Sequence, residues 1–170
     1  MKSLVLPHLC AIVLSLIALW GMRHELTEKA ATRLAWAVPP LLAAAAATIL
    51  LVVSPGKRFE LWTVAIMGGL AFGLGAGVIL RVDQDFERKL VRVHRAWDGI
   101  AAAGLLVVLT VMRFVTSDIM MRQSQKFGVL GAAAVFVAAF LCGRVISLRY
   151  YTAPRSVHLD MTKGQKPRTD

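Results

Sequence analysis

The sequence predicts an all-α polytopic membrane protein, a bundle of five transmembrane helices, on three observations. Apolar residues make up 57% of the 170 and charged residues 18%, against about 45–50% and about 25% in soluble domains. The apolar residues are gathered into runs of roughly 20, the length that crosses about 30 Å of hydrocarbon as helix. The charges fall mainly into the short breaks between those runs. A disordered chain would be poor in apolar residues, and a disulfide-stapled secreted fold would need more than the two cysteines here. A membrane barrel is excluded because charges do not interleave within the runs. Helix satisfies every backbone amide internally, as lipid requires.

The first span covers residues 4–22 and is interrupted by His8 and Ser15. Lys2 is the one charge ahead of it, and no small-x-small cleavage site precedes Arg23-His24-Glu25. The run is therefore expected to be a retained span and not a removed signal. The second span, 34–53, carries Pro39-Pro40 and then Ala43 to Ala47. If its helix begins at Leu34, the prolines fall in the second turn and bend it; if it begins at Val38, they take the permissive first turn. Both place the prolines at the head of the span. Transporter binding sites break their helices near mid-membrane and in repeated halves, and there is no second proline break here. Ser54-Pro55-Gly56 marks the turn into the third span, 61–80.

The third span carries Ala65, Gly69, Gly73 and Gly77 at four-residue spacing, with Ala71 and Gly75 beside them. Residues so spaced form one stripe along a helix. Small residues there let a neighbouring backbone approach closely, and the stripe is read as making this helix the central packing post of the bundle. A hinge or substrate-lining groove is the competing reading. The loop that follows, residues 81–98, holds five basic and four acidic residues, unlike a polybasic lipid-binding patch. Asp83-Gln84-Asp85 offers a turn, and Leu90 to Val93 hints at alternation, so a short hairpin and an interfacial helix are both open. Asp83 and Arg92 are candidate ligand or partner contacts. So is Trp97, which fits the aromatic belt at the entry of the fourth span.

The fourth span, 99–116, contains Arg113, and a charge inside a span is by default a candidate functional residue. It is also near enough to the end of the span to snorkel to the surface or to meet Asp118. The fifth span, 127–148, has Arg144 near its end. Residues 1–149 thus form the transmembrane domain, and 150–170 a polar basic tail with Pro154 and Pro167. Lys and Arg collect on the cytoplasmic side. With five spans, six lie on the face of the N-terminus and fourteen on the face of the C-terminus. The N-terminus is expected outside and the C-terminus in the cytoplasm, so the basic excess reflects topology and does not call for a nucleic acid.

His24 and His94 are expected on one face and are weak metal or haem candidates, since neither has ligand spacing around it. His8 and His24 are separated by about 24 Å of helix at 1.5 Å per residue, too far to share an ion. No metal and no cofactor is expected. Cys10 and Cys142 differ in depth by roughly 12 Å, beyond the reach of a disulfide, and are read as buried structural thiols. Nucleophile, zinc and phosphate-loop motifs are absent from the sequence.

Leu19-Trp20-Gly21-Met22-Arg23, the loop with Asp83 and Arg92 leading to Trp97, Met112-Arg113-Phe114-Val115, and Gly143-Arg144 together resemble the CcdC type of small bacterial multi-pass membrane proteins. The family is named for its neighbourhood in cytochrome c biogenesis. The resemblance implies a bacterial inner-membrane protein and brings no catalytic residues with it. Interface-type chemistry without reaction-type chemistry makes the expected function non-catalytic: an accessory or scaffold subunit whose small-residue helix packs on another membrane protein or on a copy of itself. A small transporter for an anionic or amphipathic solute, using the glycine groove and Arg113, is the alternative. A haem-binding redox subunit using His24 and His94 is a third. The stripe predicts that Gly73→Leu lowers the detergent-extracted yield of folded protein far more than Val78→Leu, and equal yields refute it.

Overall fold

The computed structural model describes residues 2–23, 31–53, 59–80, 82–85, 90–93, 97–119 and 124–150. The body is helical: α1 (Lys2–Gly21), α2 (Arg33–Val52), α3 (Phe59–Ile79), α4 (Asp98–Ile119) and α5 (Ser124–Tyr150). Four of these, α2 to α5, are long and apolar enough to cross a membrane. The apolar part of α1, Leu6–Gly21, is shorter. Three short strands accompany the helices: β1 (Ala31–Thr32), β2 (Val82–Asp85) and β3 (Leu90–Val93).

The strands form one antiparallel sheet in the order β1-β3-β2. β2 and β3 make a hairpin with Asp83 opposite Arg92 and Asp85 opposite Leu90, and β1 adds Ala31 opposite Val91. Of the two forms open for the 81–98 loop, the hairpin is therefore the one adopted. Asp83-Gln84-Asp85 does not make its turn, however: those residues lie within β2. Val82 and the β-branched pair Val91 and Val93 favour extended backbone, which makes these positions strand and not turn; residues 86–89 lie outside the described residues. The partnership of β1 with β3 joins two loops that are far apart in the chain. It requires α2 and α3 to run out and back as a hairpin.

Burial shows how the helices are arranged. α1 packs on α2 and α4, α2 and α4 both pack on α5, and the four close a ring. α3 stands outside that ring, and its one extensive helix contact is with α5. The residues of α5 are accordingly buried almost all round, including Ala134, Val135, Val137, Ala138 and Leu141. The central post is thus α5, not α3 as the glycine stripe suggested. A stripe on one face needs a single partner, whereas a post must be small or apolar on every side. α2 begins at Arg33, so Pro39 and Pro40 lie in its second turn. Both are buried, and the Pro39 ring fills the space where Gly21 of α1 has no side chain.

The contact of α3 on α5 is close to the limit set by backbone atoms. Ala65, Gly69, Gly73 and Gly77 are the buried residues of α3. A Cβ on Gly69 would strike the Phe136 carbonyl oxygen, one on Gly73 the Phe140 carbonyl oxygen, and one on Gly77 would lie 2.5 Å from Ser147 Cβ. Gly143 makes the reciprocal approach, its missing Cβ falling 2.5 Å from the Leu70 carbonyl oxygen. Steps of four along α3 match steps of three or four along α5, so the two helices run parallel and α4 runs back between them. Beside Gly75 there is nothing within 4 Å. Gly73→Ala is therefore expected to cost at least about 1–3 kcal/mol by overpacking against backbone, while Gly75→Ala is neutral or slightly stabilising through helix propensity. Thermal unfolding of the two variants in detergent checks this, and equal melting temperatures contradict it.

Candidate functional site

Polar side chains are buried at two levels of the bundle. At the end that carries the sheet, Arg144 of α5 is wholly buried and reaches Asp98, the first residue of α4. Its Nη2 donates to Oδ1 at 3.2 Å, and its Nε lies 3.0 Å from Oδ2. The guanidinium fork thus faces both carboxylate oxygens, the geometry that suits arginine better than lysine. Asp98 is also in the first turn of its helix, where the unbonded amides favour negative charge. Asp98 is about one-third exposed and Arg144 is not, so the carboxylate closes the solvent side of an otherwise enclosed cation. Next to it, Ser147 Oγ is buried against Gly77 with no hydrogen-bond partner among the described residues.

The second level lies where α1 crosses α4. His8, Ala11, Ser15, Ala18 and Met22 are the buried face of α1, and Ala103, Leu106, Leu109, Thr110 and Arg113 that of α4. Ser15 and Thr110 hydroxyls meet at 3.2 Å. Each also donates back into its own helix, Ser15 to the Ile12 carbonyl at 2.8 Å and Thr110 to the Val107 carbonyl at 2.8 Å. Arg113, one turn further along α4, is 2% exposed, and His8, two turns earlier on α1, is 4% exposed. His8 rests against Phe114, ring centroids 6.3 Å apart.

These positions alter several expectations. Arg113 does not snorkel: it is enclosed by protein, because its position continues the α4 stripe that faces α1. The side chain of Asp118 lies outside those described. The glycine groove of α3 is filled by α5 and is open neither to a solute nor to a partner. Asp83 and Arg92 are brought opposite one another in the sheet, and Trp97, exposed, leads directly into Asp98. Arg113 is 15 residues along α4 from Asp98, about 22 Å at 1.5 Å per residue, so it shares no site with the other three. His24 and His94 lie outside the described residues. Among the described residues no three His, Cys, Asp or Glu side chains gather. Cys142 is free and part-buried, its Sγ 3.7 Å from the Pro40 carbonyl oxygen. Cys10 is free but exposed, which corrects its reading as a buried thiol: it projects from α1 away from the stripe led by His8 and Ala11.

Arg144 and its carboxylate are the pair that sequence reasoning missed. The signal was present in outline, an arginine within an apolar run and an acid heading the preceding one, 46 positions apart. Antiparallel neighbours joined by a short loop bring such positions to one level. No family model, curated protein or solved structure matches this chain. The likeness to CcdC-type proteins rests on the short motifs alone.

Removing one partner of a buried ion pair strands the other. Asp98→Asn is expected to destabilise the fold by about 3 kcal/mol. Asp98→Asn combined with Arg144→Met should recover a large part of that loss. A double variant no more stable than Asp98→Asn, measured by thermal unfolding, would remove the pair as the source.

Proposed function

We propose that the chain is a non-catalytic integral membrane protein of the bacterial cytoplasmic membrane, crossing it five times and acting as an accessory or assembly subunit. One observation carries the membrane part of this reading. The polarity of the fold is inverted: His8, Ser15, Thr110, Arg113, Arg144 and Ser147 are buried, while Leu6, Trp20, Val64, Phe72, Ile79, Leu105 and Val129 are exposed. Water would penalise both halves of that arrangement, and lipid favours the second while the protein interior shelters the first. The parallel run of α3 and α5 fits helices that reverse direction at each successive crossing. The sheet end gathers the loops that hold most Lys and Arg, which supports a cytoplasmic position for it and an external N-terminus. Arg23 lies over the Trp20 ring at 4.6 Å at the same end of α1, an arrangement suited to the membrane interface.

The accessory role rests on α3. Its glycine face is taken by α5 within the chain, so a partner would meet the opposite face, with Val64, Met67 and Val78. Of the helices, α3 has a single extensive neighbour and offers the widest apolar surface to another membrane protein or to a second copy. The transport reading retains Arg113 but loses the groove along Gly69, Gly73 and Gly77. The haem reading retains His24 and His94, and a Soret band in the purified protein would revive it.

Purification in mild detergent tests the role: a second protein, or a second copy, is expected to travel with the chain through size exclusion. A chain that elutes alone and monodisperse refutes it. A C-terminal reporter that fluoresces only in the cytoplasm is expected to light up, and an export-dependent one to stay dark. The reverse result overturns the orientation.

A further inference from the structure

The three-stranded sheet is two-faced, and its register sorts the residues. Partners directly opposite in an antiparallel ladder share a face, and neighbours along a strand alternate between faces. Val82 lies opposite Val93 and Gln84 opposite Val91, with Ala31 on the other side of Val91. One face therefore holds Ala31, Val82, Gln84, Val91 and Val93. The second holds Thr32, Asp83, Asp85, Leu90 and Arg92. The first is apolar but for Gln84, and the second is polar but for Leu90.

A sheet this small is stable only with its apolar face covered. Among the described residues the helices do not cover it. β2 and β3 have no extensive contact with any helix, and β1 has one only with α2, which follows it directly in the chain. A protein partner is a poor fit by area. Four residues at about 3.4 Å and three strands at about 4.8 Å give a face of about 200 Å² at most, against about 800 Å² per side in a stable interface.

Position supplies a different cover. Thr32 adjoins Arg33, the first residue of α2, and Val82 is three residues past Ile79, the last of α3, within about 10 Å. Asp98, the first residue of α4, follows Val93 by five. The sheet is thus held where three long apolar helices end. Trp20 and Trp97 are exposed at the same level, and tryptophan gathers at membrane interfaces. The apolar surface of α3 runs up to this level through exposed Val78 and Ile79. The order β1-β3-β2 leaves the outer edges of β1 and β2 unpaired within the sheet. Hydrocarbon admits no open edge, so the depth that suits the sheet is that of the headgroups, where water still reaches.

We propose that the sheet is an interfacial element: the face of Ala31, Val82, Val91 and Val93 lies on the lipid leaflet beside the bundle, at headgroup depth, and the face of Asp83, Asp85 and Arg92 is turned to water. The partner is the lipid surface itself. The proposal rests on the membrane reading of the helices and adds to it a second contact that does not span.

Nitroxide labels on single cysteines test this in the full-length chain, with Cys10→Ala and Cys142→Ala as background, reconstituted in vesicles of phosphatidylcholine and phosphatidylglycerol. Collisions of each label with oxygen, which concentrates in lipid, are compared with those of a water-soluble nickel chelate. The ratio of oxygen to nickel collisions is expected to be several-fold higher at Val82→Cys, Val91→Cys and Val93→Cys than at Asp83→Cys, Asp85→Cys and Arg92→Cys. Phe72→Cys, on the exposed side of α3, reports on the bundle separately. Lipid contact at Phe72 with equal ratios on the two sheet faces overturns the seating and leaves the membrane reading standing. Valine positions shielded from both reagents also overturn it, since protein then covers the face. Free access of nickel to Phe72 overturns both readings together. Where one labelled valine variant fails to fold, judged by size exclusion, the other two decide. Failure of all three counts against lipid, because a label facing lipid has room.

Discussion

The close seating of α3 on α5 sets the rest of the architecture. Two helices can bring their backbones to this distance only where neither presents a side chain, and Gly69, Gly73, Gly77 and Gly143 provide that surface from both sides. With α3 held flat against one face, α5 keeps its remaining faces for α2 and α4, and α1 closes the ring behind them. The lateral order of the bundle therefore follows from one glycine-lined contact. Larger residues on that face would push α3 away and expose the polar level of α5 at Arg144 and Ser147.

Charge placement follows from the same geometry. Arg144 sits on the most enclosed helix, and its fork turns away from the glycine face toward the head of α4, where Asp98 stands in the first helical turn. The pair fixes the level at which α4 and α5 meet. Nearer the middle of the bundle, Ser15 and Thr110 fix the level of α1 against α4. Apolar helices slide along one another at small cost, since one methyl contact replaces another. A hydroxyl pair or an ion pair does not allow this, because displacement by one turn leaves both members without a partner.

Much of the helical layout was legible from the sequence. Each predicted span overlaps a helix within a few residues, since apolar run length is a strong signal. The buried stripe of α3 was legible for a related reason, because four small residues at helical spacing mark a face regardless of what meets it. What meets it was not legible. Gly143 stands apart from the other glycines of α5, Gly128 and Gly131, and belongs to no small-residue stripe at four-residue spacing like that of α3. The Arg144–Asp98 pair depends on the relative level of two helices, and the β1–β3 pairing on the return of a hairpin; both are long-range facts. Arg113 was legible as a charge within a span, but its direction round the helix decided between surface and interior, and that depended on where α1 packs.

The order of the elements along the chain adds a consequence for biogenesis. The last glycine of the α3 stripe is residue 77, and the serine that covers it is residue 147. During synthesis at about 5–20 residues per second, α3 therefore waits several seconds for its docking surface. Through that interval α3 would have its bare backbone edge accessible to any other small-residue helix, or to a chaperone that shields such edges. Correct assembly of this chain is thus a race between its own final segment and its neighbours.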